Sequence, residues 1–234
     1  MSSDLRFEGG GRSAALKLTV SPRARVMRLR VDRRTGDVVL TVPRRVSQKK
    51  ALEWAAGHRT WIEAQLATIG SGQPLAADRE IPLFGEPHAV DWDPARPRTP
   101  RVEGARILAG GPQEGLEARL TRWLARTALQ VLEAETREFA AKAGVTVARV
   151  GVGDPVSRWG SCAASGAIRY SWRLILAPDW VRRATVAHEV AHRVHMNHGP
   201  AFHALVAELL GDDPKPARLW LRREGPRLHR IGRR

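Results

Sequence analysis

The sequence predicts an α+β protein in which a β-rich portion comes first and longer helices follow. Strand-like apolar runs occur in residues 1–111, with many Gly and Pro over residues 70–111, whereas apolar residues recur at three- and four-residue steps over much of residues 112–234. A chain of 234 residues with 43% hydrophobic residues and eight Trp is long and apolar enough to bury a sizeable core. We therefore expect two parts, divided after residue 111.

The first part begins with two predicted strands that form a hairpin. Val26 to Val31 and Val38 to Val42 alternate apolar and polar residues, and turn residues separate them. Ser47 is a typical N-cap for the helical stretch that follows, and Gly57 interrupts that stretch, which predicts a helical hairpin over residues 47–68. Three later apolar runs predict short strands joined by turns: Ile81 to Phe84, His88 to Trp92 and Arg106 to Ala109.

The second part begins with the longest helical pattern, Gln113 to Ala143, which Gly144 is expected to end. We assign this helix to the core and give it no chemistry. Residues 157–174 predict a hairpin around turn residues 163–166. Pro178 and Asp179 are start signals for a further helix, which carries the most informative motif of the chain.

That motif contains two histidines, His188 and His192, four positions apart and hence on one face of the helix. This is the separation at which two imidazoles can bind one zinc ion, and Glu189 between them can take a proton from a zinc-activated water. His198 follows a break at Asn197 to Pro200, so a turn could return it as a third ligand. The pattern predicts a zinc hydrolase with one Zn²⁺ per chain.

The alternative interpretation is a pair of surface or core histidines on an amphipathic helix. The apolar positions around the motif are spaced to bury this helix, and two histidines and a glutamate buried there without a metal would be costly to desolvate. His195 and His203 lie nearby, and we expect packing or supporting roles for them, because a fourth ligand would close the catalytic position.

The composition indicates the cellular compartment and the kinds of partner that we expect for this protein. The start of the chain lacks the apolar stretch of a signal peptide, no run reaches membrane-span length, and the single Cys162 suits a reducing compartment, so we expect a soluble cytoplasmic protein. The net charge of +15 allows association with nucleic acid or another polyanion, or preference for an acidic substrate. The alternative is that a coding bias has distributed arginines along the whole chain, so that the net charge has no functional role.

Three segments, SRWGSC, IRYSWRLILAP and HEVAHRVHMNHGPAF, closely resemble the YgjP-like metallopeptidase-like domain family, relatives of the SprT and WLM zinc peptidases. The resemblance extends over almost the whole chain and is specific over residues 157–203. It implies a zincin-like metallopeptidase fold in residues 112–234, in which a small sheet packs on helices and one helix carries the HExxH motif. It also implies zinc on His188, His192 and His198, with Glu189 as general base. The family often has Asn where Ser171 stands here.

Six further residues are candidates for substrate binding, oxyanion stabilisation or support of the ligands. They are Arg158, Trp159, Ser161, Tyr170, His195 and Asn197. The resemblance implies that the SRWGSC segment lies near the active site, and a hairpin before the zinc helix could pair with an extended polypeptide substrate. Tyr170, His195 and Arg158 are alternative donors to an oxyanion.

Three functions fit the sequence. The first is a zinc peptidase that acts on polypeptides through Glu189. The second is a metal-dependent nucleotide phosphohydrolase (a nucleoside triphosphate pyrophosphatase). The basic net charge favours this function, but the sequence contains no Gly-rich phosphate loop to support it. The third is a DNA- or protein-binding module with a structural zinc, against which the intact Glu189 argues. We expect the peptidase.

Overall fold

The structure is a computed structural model that describes residues 5–32, 36–68, 72–155 and 157–232. Contacts between α-carbons divide the chain into two units, Met1–Ser71 and Gly72–Arg234. Residues 72–111 therefore group with the second unit, whereas the sequence placed them with the first. The reason is a shared core, because Ile81 and Ile107 pack in one cluster with apolar residues of the second half of the chain.

The first unit is a four-stranded mixed sheet with two helices. Its elements are β1 (Arg6–Gly9), β2 (Arg12–Ser21), β3 (Arg28–Val31), β4 (Val38–Pro43), α1 (Gln48–Ala56) and α2 (Arg59–Thr68). The strand order is β1-β2-β4-β3, with β2 and β4 parallel. The predicted hairpin is confirmed, since Leu29 lies opposite Leu40 and Val31 opposite Val38. The expected turn between these strands falls partly on residues 33–35, outside the described residues.

Local signals place the two helices of this unit. The Ser47 side chain accepts a hydrogen bond from the Lys50 amide at 3.3 Å, as expected of an N-cap. The first helix ends at Gly57, and the second begins two residues later. Residues 47–68 thus contain two successive helices, as predicted, and their packing against each other stays a prediction. Ile62 of α2 and Val38 of β4 are both fully buried in one apolar cluster.

The second unit opens with another four-stranded sheet. Its strands are β5 (Glu80–Leu83), β6 (Glu86–Trp92), β7 (Arg101–Glu103) and β8 (Arg106–Ala109), in the order β5-β6-β8-β7. Three of these strands match the predicted runs. The fourth, β7, was not predicted, because all three of its residues are exposed and it has no apolar pattern.

The rest of the second unit carries the four longer helices and a three-stranded sheet. Its elements are α3 (Leu116–Lys142), β9 (Arg149–Gly153), β10 (Gly160–Cys162), β11 (Ala167–Ser171), a 3₁₀ helix (Trp172–Leu176), α4 (Asp179–Ala191), α5 (Pro200–Leu210) and α6 (Lys215–Leu228). The sheet order is β10-β11-β9, so β10 lies at an edge. The predicted hairpin of β10 and β11 is confirmed, whereas the parallel pairing of β9 with β11 was not foreseen.

Two contacts fix the start of α4. Gly85, at φ +83°, approaches Pro178 so closely that a β-carbon there would lie 2.8 Å from the proline α-carbon. On the next turn, the buried guanidinium of Arg182 donates to the Glu135 carboxylate of α3 at 2.8 Å and to Asp179 at 2.8 Å. These contacts hold the helix that carries the histidine motif against α3 and the second sheet.

The C-terminal residues of the second unit form hydrogen bonds with a buried arginine of its core and with the first residues of the unit. Arg173, 1% exposed, donates to the backbone carbonyls of Leu228 at 3.1 Å and Ile231 at 2.7 Å. Its third partner is the Asp154 carboxylate. Gln73 forms a bridge with Ile231, with backbone hydrogen bonds to Arg230 and Gly232.

Within the described ranges the chain thus has six α-helices and three small mixed sheets, which confirms the α+β class. No helix in these ranges combines the length and the apolar character needed to cross a membrane.

Candidate metal centre

Two of the three expected ligands lie at the C-terminal end of α4. His188 is in the last turn of the helix, and His192 is the residue that caps it. The four-residue spacing places both rings on one face of the helix, where they meet edge to face with ring centroids 4.9 Å apart. The helical placement expected from the spacing is therefore observed.

His198 reaches the same point from outside the helix. The chain turns after α4, and α5 begins at Pro200 with extended Gly199 as its N-cap. This turn brings His198 Nε2 to 3.2 Å from His188 Nε2. One ring nitrogen from each of His188, His192 and His198 lies within 4.8 Å of the others. Three imidazole nitrogens that converge on one point are a donor set suited to a zinc ion with an open position.

The protonation of the rings also suits a metal. Burial lowers the pKa of His188 to about 4, and the neighbouring His192 and His198 act in the same direction. Burial lowers the pKa of His192 as well, whereas its hydrogen bond to the His195 carbonyl acts in the opposite direction. The His192 Nδ1–H donates to that carbonyl at 3.1 Å, which leaves Nε2 unprotonated and free to bind a metal.

A buried phenylalanine supports all three rings. Phe202, 0% exposed, has its ring centroid 4.9, 4.5 and 4.7 Å from those of His188, His192 and His198. The first turns of α5 place it there, four residues after His198. Phe202 was not among the residues selected from the sequence. An apolar residue four positions after a proposed ligand can nevertheless indicate a side chain that packs against the ligand ring.

Glu189 points away from bulk solvent beside the histidines. It is 5% exposed, and burial raises the pKa of its carboxyl to about 7, while the positive charge of Arg158 acts in the opposite direction. A carboxyl with a pKa near neutrality can both accept and release a proton at physiological pH. This is the property needed of a general base that must later act as an acid.

The edge strand β10 lies directly against that carboxylate. A β-carbon at Gly160 would lie 2.4 Å from Glu189 Oε1 and 2.6 Å from its Cγ. Only a residue without a side chain fits there. The sequence reasoning selected the neighbours of Gly160 and missed Gly160 itself, although a glycine within a strand often marks a close approach of another group.

The structure separates the remaining candidates. Tyr170 is 0% exposed, its hydroxyl lies 3.0 Å from Thr136 Oγ1, and burial raises its pKa, so it serves the core and presents no surface to a substrate. Trp159 is half-buried and stacks on His229, with ring centroids 4.6 Å apart. Ser171 is buried and caps the 3₁₀ helix.

The other candidates remain near the surface. Arg158 and Asn197 are exposed, and Ser161 is half-buried on β10 opposite Arg169. His195 contributes its backbone carbonyl to His192 rather than a side chain to the ligand set. His203 lies beside the cluster, its ring centroid 6.3 Å from that of His198.

Cys162 lies on the same edge strand. It is half-buried, and burial raises the pKa of its thiol, which is the opposite of what a nucleophilic thiolate requires.

A helix that presents two histidines and a glutamate, completed by a histidine from the following turn, is the arrangement of a metal-dependent hydrolase. The chain belongs to the YgjP-like family, because the family model described as "YgjP-like, metallopeptidase domain" matches residues 25–224. This membership confirms the resemblance and supports a metal-dependent peptidase in general. No curated protein matches the chain, and no solved structure matches it either.

Proposed function

We propose that this protein is a zinc-dependent peptidase that hydrolyses peptide bonds in polypeptide substrates. The observation that carries the proposal is the convergence of three ring nitrogens within 4.8 Å of one another beside the buried Glu189. The family match supports the choice of a peptide bond over a phosphate ester.

His188, His192 and His198 would hold the metal. The lowered pKa values of His188 and His192 favour neutral rings with a free lone pair, and the carbonyl of His195 fixes the orientation of His192. When bound by three protein ligands, zinc supplies Lewis acidity that polarises a carbonyl and makes water a nucleophile near pH 7. Side chains and backbone of this chain would transfer the proton and orient the substrate.

Glu189 moves the proton. Its carboxylate accepts a proton from the attacking water and passes it to the nitrogen of the departing amine. The packing of Gly160 against the carboxylate limits the positions that the carboxylate can take.

The strand β10 would orient the substrate. Among the described residues β10 pairs with β11 alone, so its other edge can pair with an extended polypeptide. Because Gly160 of β10 packs against Glu189, a chain paired there would pass close to the proposed base.

The test measures hydrolysis by the zinc-loaded protein on an unfolded labelled protein and on nucleoside triphosphates in parallel. Glu189→Gln removes the base, His198→Ala removes a ligand, and Glu208→Gln is the control, since Glu208 is an exposed carboxylate on α5. We expect polypeptide cleavage that disappears in the first two variants and persists in the control. We also expect one zinc per chain, with weaker binding in His198→Ala alone.

Two results would contradict the proposal. Phosphate release without polypeptide cleavage, lost in Glu189→Gln, would identify a nucleotide phosphohydrolase. Stoichiometric zinc without hydrolysis of either substrate would identify a binding module with a structural metal.

A further inference from the structure

One side of α6 contacts the segment that leads into β10 and to Glu189. Successive residues of a helix are 100° apart, so positions 218, 222, 225 and 229 fall within about 60° of its circumference. Two of these positions contact Trp159. The His229 ring stacks on the indole, and a β-carbon at Gly225 would lie 2.7 Å from the indole ring. The side of α6 that carries Arg218 and Arg222 therefore faces the segment that leads into β10.

The segment that this side contacts leads directly to the proposed base. Trp159 is followed by Gly160, and a β-carbon at Gly160 would lie 2.4 Å from Glu189 Oε1. The side of α6 that carries the two arginines is therefore joined to the proposed base by these two packing contacts.

Both arginines are available to a ligand. Arg218 and Arg222 are exposed, and within the described ranges neither has a carboxylate within 4.0 Å. The single acidic side chain of α6, Glu224, lies on another side of the helix and pairs with Arg223 at 2.9 Å. Two guanidinium groups one turn apart can each bind a carboxylate in a planar, two-pronged geometry.

We infer that Arg218 and Arg222 form a substrate-binding site that selects polypeptide segments rich in Asp and Glu beside the bond to be cleaved. This inference rests on the proposed peptidase function and names its substrate class. An acidic polypeptide fits better than nucleic acid because Trp159, the nearest aromatic on this side, is committed to His229 and offers no stacking platform.

The experiment compares two peptides that differ only in Glu or Gln on both sides of the scissile bond. We expect the Glu peptide to be cleaved with a kcat/KM about three- to tenfold higher, since an exposed ion pair contributes a factor of about two to five. The preference should fall as salt rises, because exposed charges are screened over about 10 Å at 0.1 M. The Arg218→Gln, Arg222→Gln double variant should lose the preference.

Two further variants sharpen the comparison. Arg227→Gln, on the opposite side of the same helix, is the matched control and should retain the preference. The Arg218→Glu, Arg222→Glu double variant should reverse the preference toward a Lys-containing peptide. Equal zinc affinity of all variants would show that the metal centre itself is unchanged.

A binding measurement separates this inference from the proposed function. Fluorescence anisotropy of the same peptides on zinc-loaded Glu189→Gln protein needs no catalysis, and tighter binding of the Glu peptide that depends on both arginines supports the site. Equal cleavage of the two peptides by the wild type would overturn the site and leave the peptidase standing. Binding of single-stranded DNA that depends on both arginines, without discrimination between the peptides, would overturn it in favour of a nucleic-acid surface.

Discussion

The backbone of Gly160 and the carboxylate of Glu189 are in direct contact, with no space between them for a methyl group. A β-carbon at position 160 would lie 2.4 Å from Glu189 Oε1. The strand therefore determines where the carboxylate can be. We expect Gly160→Ala to displace Glu189 and lower kcat by at least about tenfold, because a shift of 1 Å in a catalytic group can cost about 10²-fold. Peptide hydrolysis measures the effect.

The matched control for this substitution is Gly151→Ala in β9, where an added β-carbon has nothing within 4 Å. Zinc affinity should remain at the wild-type level in both variants, since Glu189 is not among the proposed ligands. Full activity of Gly160→Ala would show that the carboxylate does not need this position.

Phe202 connects the stability of the fold to the metal centre. Because its buried ring packs on all three histidines, Phe202→Ala should lower the free energy of unfolding of the metal-free protein by about 3–5 kcal/mol and also weaken zinc binding by about tenfold or more. Phe139→Ala, another buried ring but on α3, should lower stability alone. Urea unfolding and zinc competition measure the two effects. Equal zinc affinities in both variants would contradict a supporting role for Phe202.

The pairing of Glu138 predicts a loss of stability in acid. Arg183 and Lys142 donate to its carboxylate and lower its pKa to about 2, against an ordinary value of 4.5. The stabilisation that these two ion pairs contribute to the folded protein is complete above pH 4.5. It is lost as the pH falls from 4.5 toward 2, because the Glu138 carboxylate is then protonated. Solvent screening reduces its size, since the side chain is 39% exposed.

Glu138→Gln should therefore flatten the dependence of unfolding free energy on pH between 4.5 and 2. Denaturant titrations of the metal-free protein at several pH values measure it. Glu133→Gln, which removes a carboxylate from the same helix but leaves Glu138 intact, is the control. An unchanged slope in Glu138→Gln would refute the assignment.

The buried guanidinium of Arg173 predicts a large structural effect away from the metal. Arg173→Met would leave the Leu228 and Ile231 carbonyls without this donor, and an unsatisfied buried group costs about 1–3 kcal/mol. We expect a loss of at least about 2 kcal/mol in unfolding free energy. Arg149→Met on β9, at an exposed position, should change it by less than about 0.5 kcal/mol. Comparable losses in both would mean that the buried hydrogen bonds add little.

The parts of the site that the sequence predicted are those that depend on local geometry. His188, Glu189 and His192 are ordered by the helical repeat alone, and the turn that returns His198 is encoded by the adjacent Gly199 and Pro200. The β10–β11 hairpin was predictable for the same reason. Each of these features joins residues close together in the chain.

The parts that were missed join residues far apart. The contact of Gly160 with Glu189 and the parallel pairing of β9 with β11 are set by tertiary packing, which no periodicity records. The position of Tyr170, a candidate oxyanion donor or supporting residue, also depends on tertiary packing, because the fold places its hydroxyl 3.0 Å from Thr136 Oγ1 of α3.

The bridge between Gln73 and Ile231 brings the two ends of the described part of the second unit side by side. A segment whose ends meet can be spliced into a loop of another protein, or its ends can be joined by a short linker and the chain reopened elsewhere. The turn at Gly104, where an added β-carbon would have nothing within 4 Å, is a suitable place to reopen it. The histidine cluster, encoded within eleven consecutive residues, would pass intact into such a circular permutant.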